Sequence, residues 1–458
     1  MIRRSPIAGA VVVLGAASLV LAACGGGSTS STSSSAAPAT SEAPATSEAP
    51  ATSAAPSEEA SSEPASDCKN PTLKLGTLLP ATGQLAYLGP PEFAGVKLAL
   101  KEVNDAGGVL GAPVTEEYGD SGDTTTDIAS QTVDSHLSKG VQAIIGAASS
   151  GVTLSVIDKV TQNGVFMISP ANTAPALTTY PDNGLYFRTA PSDALQGAIQ
   201  ATLAADAGFT KGATIARDDA YGIGLQQAFE TDFTGAGGEI LSSIKYAPEA
   251  TSFEAEVAEL KAAKPEFVQV VGFEESTKLL QEMIKQGIGP KDVQIYLADG
   301  NASVEAFKDF PKDEMAGTIA TFPTGDPSVD VTAFNDRLLE ADAKLKEFVY
   351  GAQAYDAAIL TALAAEYAGC ADGTAIAEAM PMVANADAGG TPCGTYAECL
   401  AIIQGGGQPN YEGVTGPLDF NEFGDPAAAT ISVVEYKAND KYEEIDVVGP
   451  VPVPVPVG

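Results

Sequence analysis

From Leu73 onward the chain alternates short apolar runs with segments whose apolar residues recur at helical spacing, and this alternation constrains the fold most. A strand is expected near 73–79, followed by a Gly/Pro loop and a helix carrying Phe93, Val96, Leu100 and Val103 on one face. Asn104-Asp105-Ala106-Gly107-Gly108 supplies a helix stop and a turn. More strands are expected at 114–118, 141–146, 165–169 and 185–188. A second series follows at 213–217, 240–246, 267–271 and 293–297, interleaved with helical segments such as 225–233 and 254–262. Alternation of this kind builds largely parallel sheets covered by helices, so the fold class is α/β, with two βα series. Thr189-Ala190-Pro191-Ser192 lies between them as the crossing point. Later, 318–322 reads as a strand, 349–368 as an Ala-rich helix, and 414–420 and 430–436 as two strands joined by a turn containing Gly424. The alternating Pro and Val of 448–458 predict an extended, poorly packed tail.

Open α/β sheets bind ligands at the carboxyl ends of their strands. In the first series those ends carry hydroxyls: Ala147-Ala148-Ser149-Ser150-Gly151 opens a helix, and Ser169-Pro170-Ala171-Asn172-Thr173 follows the next strand. Ser149 or Ser150 can cap that helix, and the free N–H groups of its first turn suit a carboxylate. In the second series the ends carry acids and aromatics: Asp218-Asp219-Ala220-Tyr221-Gly222, Gly272-Phe273-Glu274-Glu275 and Ala298-Asp299-Gly300. A hydroxyl-lined helix terminus opposite a carboxylate among aromatics suits a zwitterion, the anionic end on one lobe and the ammonium on the other.

Composition removes other classes. The 458 residues hold 59 Asp+Glu against 24 Lys+Arg, a net charge of −35, which repels nucleic acid. One histidine, His136, cannot supply a multi-histidine metal cage, and it is expected to face solvent from a helical stretch. No Gly-x-Ser-x-Gly elbow, P-loop or dinucleotide fingerprint is present, since Gly222-Ile223-Gly224 lacks a third glycine in place. The expectation is therefore a protein with no catalytic residues, metal site or cofactor.

Residues 1–23 have the organisation of an export signal, with Arg3 and Arg4 before an apolar run that is too short to span a membrane. Its end, Leu21-Ala22-Ala23-Cys24, resembles the bacterial lipobox, which implies a lipid on Cys24 and attachment to the membrane. The rest of 24–67 contains only Gly, Ser, Thr, Ala, Pro, Glu and Asp, a composition expected to form a disordered stalk. Cys68, Cys370, Cys393 and Cys399 remain, an even count that suits two disulfides in an exported protein. Sequence does not fix the pairing. Cys393 with Cys399 is favoured because the loop between them can close on itself, which leaves Cys68 with Cys370, and four free thiols are the alternative.

Taken in order, several segments resemble the type I periplasmic binding proteins of the leucine/isoleucine/valine-binding kind, over roughly 70–447. They are Gly83-Gln84-Leu85-Ala86-Tyr87-Leu88-Gly89, the 103–108 helix stop, Ile145-Gly146-Ala147-Ala148-Ser149-Ser150, Ile168-Ser169-Pro170, Asp219-Ala220-Tyr221-Gly222 and Gly416-Pro417-Leu418-Asp419-Phe420. The resemblance implies two Rossmann-like lobes joined by a three-strand hinge, 70–190 with 320–415 forming the first and 191–319 with 416–447 the second. It implies that a ligand carboxylate meets Ser150 and Thr173, and that the ammonium meets Asp299. Tyr221, Phe273 and Tyr87 would cover the ligand, with Ser149 and Asn172 beside it. Phe273 lacks the hydroxyl of a tyrosine, and Ala147, Ala148 and Asn172 alter the pocket wall, so a small or aliphatic amino acid fits best. The implied mechanism is hinge closure followed by docking on the permease subunits of an ABC importer, with a same-fold sensor for an amide or short peptide, signalling to a regulator, as the alternative.

Overall fold

The computed structural model describes residues 68–455 apart from 305, 387–388 and 439–440. By internal contacts the chain divides into Met1–Glu59 and Ala60–Gly458, and the described residues all belong to the second unit. The export signal, Cys24 and the stalk lie outside the described residues.

The first sheet contains β1 (Lys74–Leu78), β2 (Thr115–Glu117), β3 (Ala143–Gly146), β4 (Phe166–Ser169) and β5 (Tyr186–Arg188), all parallel, in the order β2-β1-β3-β4-β5. Successive side chains go to opposite faces. Leu75, Ile145, Ile168 and Phe187 therefore enter a core shared with the helix Gly351–Ala368, whereas Leu78, Ile144, Met167 and Tyr186 pack beneath the helices Ile128–Ser138 and Ser150–Gln162. The helix Gly351–Ala368 is buried along most of its length, consistent with a sequence that is apolar on every side.

The second sheet starts with β6 (Lys211–Arg217), β7 (Glu239–Tyr246), β8 (Phe267–Val271), β9 (Gln294–Leu297) and β10 (Ile319–Thr324), parallel to one another. Three short strands, β11 (Thr391–Cys393), β12 (Pro409–Gly413) and β13 (Gly416–Pro417), make a small separate sheet. β14 (Ala428–Tyr436) and β15 (Tyr442–Pro452) then add antiparallel to β10, giving the order β15-β14-β10-β9-β8-β6-β7.

Four expectations change. The strand near 318–322 was assigned with the first lobe but belongs to the second sheet, because β10 covers the open edge of β9 and sends Ala320 and Phe322 into that sheet's core. Residues 416–420 stay with the first lobe: Leu418 and Phe420 are buried in its core, so the last crossing follows Phe420. The Pro/Val tail is packed through Val453. Its start continues β15, with Val448 opposite Ile431 and Val451 opposite Ala429, and Val453 packs with Leu195, Ile199 and Ile431. Proline is tolerated there because β15 is an edge strand. Finally, His136 is 1% exposed, its Nε2–H donating to the Thr77 carbonyl at 2.8 Å. Gly76 and Gly119 make the room, since a Cβ at either would lie within 2.9 Å of the imidazole ring. Burial lowers its pKa, so the ring is neutral.

Both disulfides form in the favoured pairing, Cys68 with Cys370 and Cys393 with Cys399.

Candidate functional site

Strand order reverses on either side of β1 and β3 in the first sheet, and of β6 and β8 in the second. The crevices at such switch points are where α/β sheets hold ligands. The loops singled out from sequence leave these strands and their neighbours, and in the structure they meet one another.

On the first lobe, Ser149 caps the helix Ser150–Gln162, its Oγ accepting from the Val152 N–H at 3.4 Å. Ser150 is 2% exposed, and its Oγ accepts from the N–H groups of Thr173 and Ala174 at 3.3 and 3.2 Å, tying the second loop to the helix terminus. Asn172 works as a staple: its Nδ2 donates to the Ala148 carbonyl at 2.8 Å and its Oδ1 accepts from the Tyr186 hydroxyl at 2.9 Å. Behind the loop, buried Arg188 donates to the carbonyls of Asn172 and Ala174 at 3.3 and 3.0 Å and to both Asp425 oxygens at 2.6 Å. Asp425 belongs to the last crossing, so one guanidinium links a hinge segment to the Thr173 loop.

On the second lobe, Asp299 is 4% exposed. Its Oδ1 accepts from the Tyr221 hydroxyl at 3.2 Å and Gln196 Nε2 at 3.0 Å, and its Oδ2 accepts from the Tyr350 hydroxyl at 2.8 Å. Tyr87 reaches across from the first lobe and donates to the Asp299 carbonyl at 3.0 Å. Tyr221 stacks on Phe273 with centroids 5.3 Å apart, and the Arg217 guanidinium lies 3.8 Å from the Phe273 centroid. Leu85, Leu88, Ala148 and Ala171 from the first lobe join Tyr221, Phe273 and Ala298 in one apolar cluster.

The acid that sequence reading missed is Asp193, fully buried at the start of the helix Asp193–Asp206. Its Oδ2 accepts from the Thr173 hydroxyl at 2.8 Å, while its Oδ1 has no hydrogen-bond partner among the described residues. Burial, and then the charge of Asp299, hold its carboxyl well above the ordinary carboxylate range, with Arg188 opposing. Burial likewise raises Asp299, although hydrogen bonds from Tyr350, Gln196 and Tyr221 favour its ionised form. Ser192 reads from sequence only as the end of the crossing point, and Tyr350 only as part of an Ala-rich helix. Their placement depends on long-range packing. Glu92 is a second missed acid: it is 0% exposed, neither oxygen has a partner among the described residues, and burial raises its pKa strongly.

Taken together, hydroxyls and a helix terminus meet two buried carboxyls, Thr173 donating directly to Asp193, with apolar and aromatic groups alongside. Two carboxyls, one with an open oxygen, repel a lone anion and favour an ammonium.

The model of the periplasmic binding protein family matches residues 72–404. Among relatives, the leucine-, isoleucine-, valine-, threonine-, and alanine-binding protein of Pseudomonas aeruginosa is 29% identical over 323 residues, covering 68% of this chain and 82% of that protein. The chemotactic signal transduction system substrate-binding protein BasB of Halobacterium salinarum is 27% identical over 354 residues, covering 75% and 82%. Among solved structures, the branched-chain amino acid transporter substrate binding protein LivJ of Streptococcus pneumoniae, in complex with isoleucine, superposes with a TM-score of 0.66 at 23% identity, covering 82% of this chain and 99% of that one. With two α/β lobes whose switch-point loops meet and a family match running through most of the folded body, this chain belongs to the periplasmic binding protein family.

Proposed function

We propose that the protein is an extracytoplasmic receptor that captures an amino acid with a branched or otherwise small aliphatic side chain and delivers it to the permease of an ABC importer. The carrying observation is that Thr173, tied to the Ser150 helix terminus, donates directly to buried Asp193, while Asp299 is buried among Gln196, Tyr221 and Tyr350. In this reading the ligand carboxylate meets the Ser150 terminus and Thr173, and the ammonium sits between Asp299 and the open oxygen of Asp193. The side chain lies against Tyr87, Tyr221 and Phe273. Ser149 and Asn172 hold the loops in register. Hinge closure supplies the binding, since a ligand that bridges both lobes favours the closed form by its differential affinity. The cleft acts by binding rather than catalysis. A lipid on Cys24 tethers the receptor to the outer face of the cell membrane, and 25–67 serves as the stalk, keeping receptor and permease at high effective concentration.

The test is calorimetry with L-isoleucine, L-isoleucinamide and 2-methylbutylamine. The reading expects binding of the first and at least hundredfold weaker binding of the other two, which lack the carboxylate. Equal binding of the amine would contradict the carboxylate site. A second reading, delivery to a sensory regulator, is favoured by the similarity to the Halobacterium chemotactic protein. Loss of labelled isoleucine uptake on deletion supports transport, and loss of the response with uptake intact supports sensing.

A further inference from the structure

Gln84 sits at the tip of the loop that leaves β1, half-buried, and reaches the ends of three adjacent strands of the second sheet. Its Nε2 donates to the Pro248 carbonyl beyond β7 at 2.8 Å. Its Oε1 accepts from Arg217 Nη1 at the end of β6 at 2.9 Å. Its backbone carbonyl accepts from the Glu274 N–H beyond β8 at 3.4 Å. Arg217 is held in place independently of the first lobe, by Asp219 Oδ2 at 2.6 Å and Glu275 Oε1 at 2.8 Å, and by stacking on Phe273. The second lobe therefore presents a fixed donor and a fixed acceptor that a single side chain of the first lobe can engage only when the lobes are together.

We propose that Gln84 is a positioning residue for ligand capture, a latch that stabilises the closed lobes through Arg217 and Pro248 without recognising the ligand. Both polar groups of its side chain are engaged by protein, so its contribution enters the opening equilibrium and is common to every ligand. Recognition of ligand class stays with Ser150, Thr173, Asp193 and Asp299. The proposal rests on the receptor reading, because a latch acts only on lobes that open and close.

The experiment measures binding and dissociation of L-isoleucine, L-valine, L-leucine and L-alanine by the full chain and by its Gln84→Ala and Gln84→Met variants, together with ligand-free thermal midpoints. Loss of two interlobe hydrogen bonds, one of them to a charged group, is expected to weaken binding about tenfold in both variants. Every amino acid that binds should weaken by the same factor, mainly through faster dissociation, with ligand-free midpoints unchanged. Wild-type affinity in the variants would overturn the latch and leave the receptor reading standing. A factor that differs between amino acids would overturn it in favour of direct ligand contact, and a lowered ligand-free midpoint would overturn it in favour of a structural role. No binding of any of the four by the wild-type chain would overturn the receptor reading, and the latch with it.

Discussion

Asp193 and Asp299 are each buried, which makes both charges harder to form, and the Asp299 charge raises the Asp193 carboxyl further. A ligand ammonium relieves this, so Asp299→Asn and Asp193→Asn should each weaken amino-acid binding by about a hundredfold or more, which calorimetry reads directly. The same changes should leave ligand-free stability level or higher at neutral pH, because a buried carboxyl is exchanged for a neutral amide of similar shape. Equal roles for the two acids were not visible in the sequence. Asp299 stands at a strand end, where ligand groups are sought, whereas Asp193 lies at the first crossing and reaches the cleft only because Thr173 and its helix bring it there. His136 was misread for a related reason: the glycines that accommodate it, Gly76 and Gly119, lie far from it in sequence.

At the scale of elements, the Arg188–Asp425 pair joins β5 to the last crossing in the interior, both side chains at most 2% exposed. Arg188→Met strands Asp425 without its partner and should cost about 3–5 kcal/mol of stability by denaturant unfolding. Replacing both, as Arg188→Met with Asp425→Leu, should recover much of that loss while still weakening binding, because the carbonyls flanking Thr173 lose their donor. Recovery of stability and affinity together would show that the guanidinium does not position the loop. Most of the parallel strands were readable because they are short, nearly uninterrupted apolar runs ending in a turn signal, whereas β2 is Thr-Glu-Glu and β7 mixes Ser and Lys with its apolar residues. Element membership after 318 was not, since the sheet β10 joins is decided by which edge is open, and β13 is only two residues long. The Val/Pro run could be read as extended, but its pairing depends on β14 offering an edge.

For the molecule as a whole, proton linkage gives a signed expectation. Folded-state pKa values of Asp193 and Asp299 lie above their unfolded values. Their contribution to stability is therefore fully present below the ordinary carboxylate range of about 4 and is lost as pH rises through the raised values. The ligand-free wild type should lose stability relative to Asp299→Asn over that interval, as paired thermal scans across pH would show. Binding of an ammonium favours the ionised forms, so affinity should rise with pH across the same interval and protons should be released on binding. The measurement that addresses the central claim most directly is thermal unfolding of the full chain, denatured and refolded to remove carried-over ligand, against all L-amino acids plus amides and short peptides. A ligand held between the lobes raises apparent stability by mass action, about 2.7 kcal/mol at a hundredfold excess over Kd. The account predicts a shift with small aliphatic amino acids that disappears in Asp299→Asn, and a panel in which no zwitterion shifts the midpoint would contradict it.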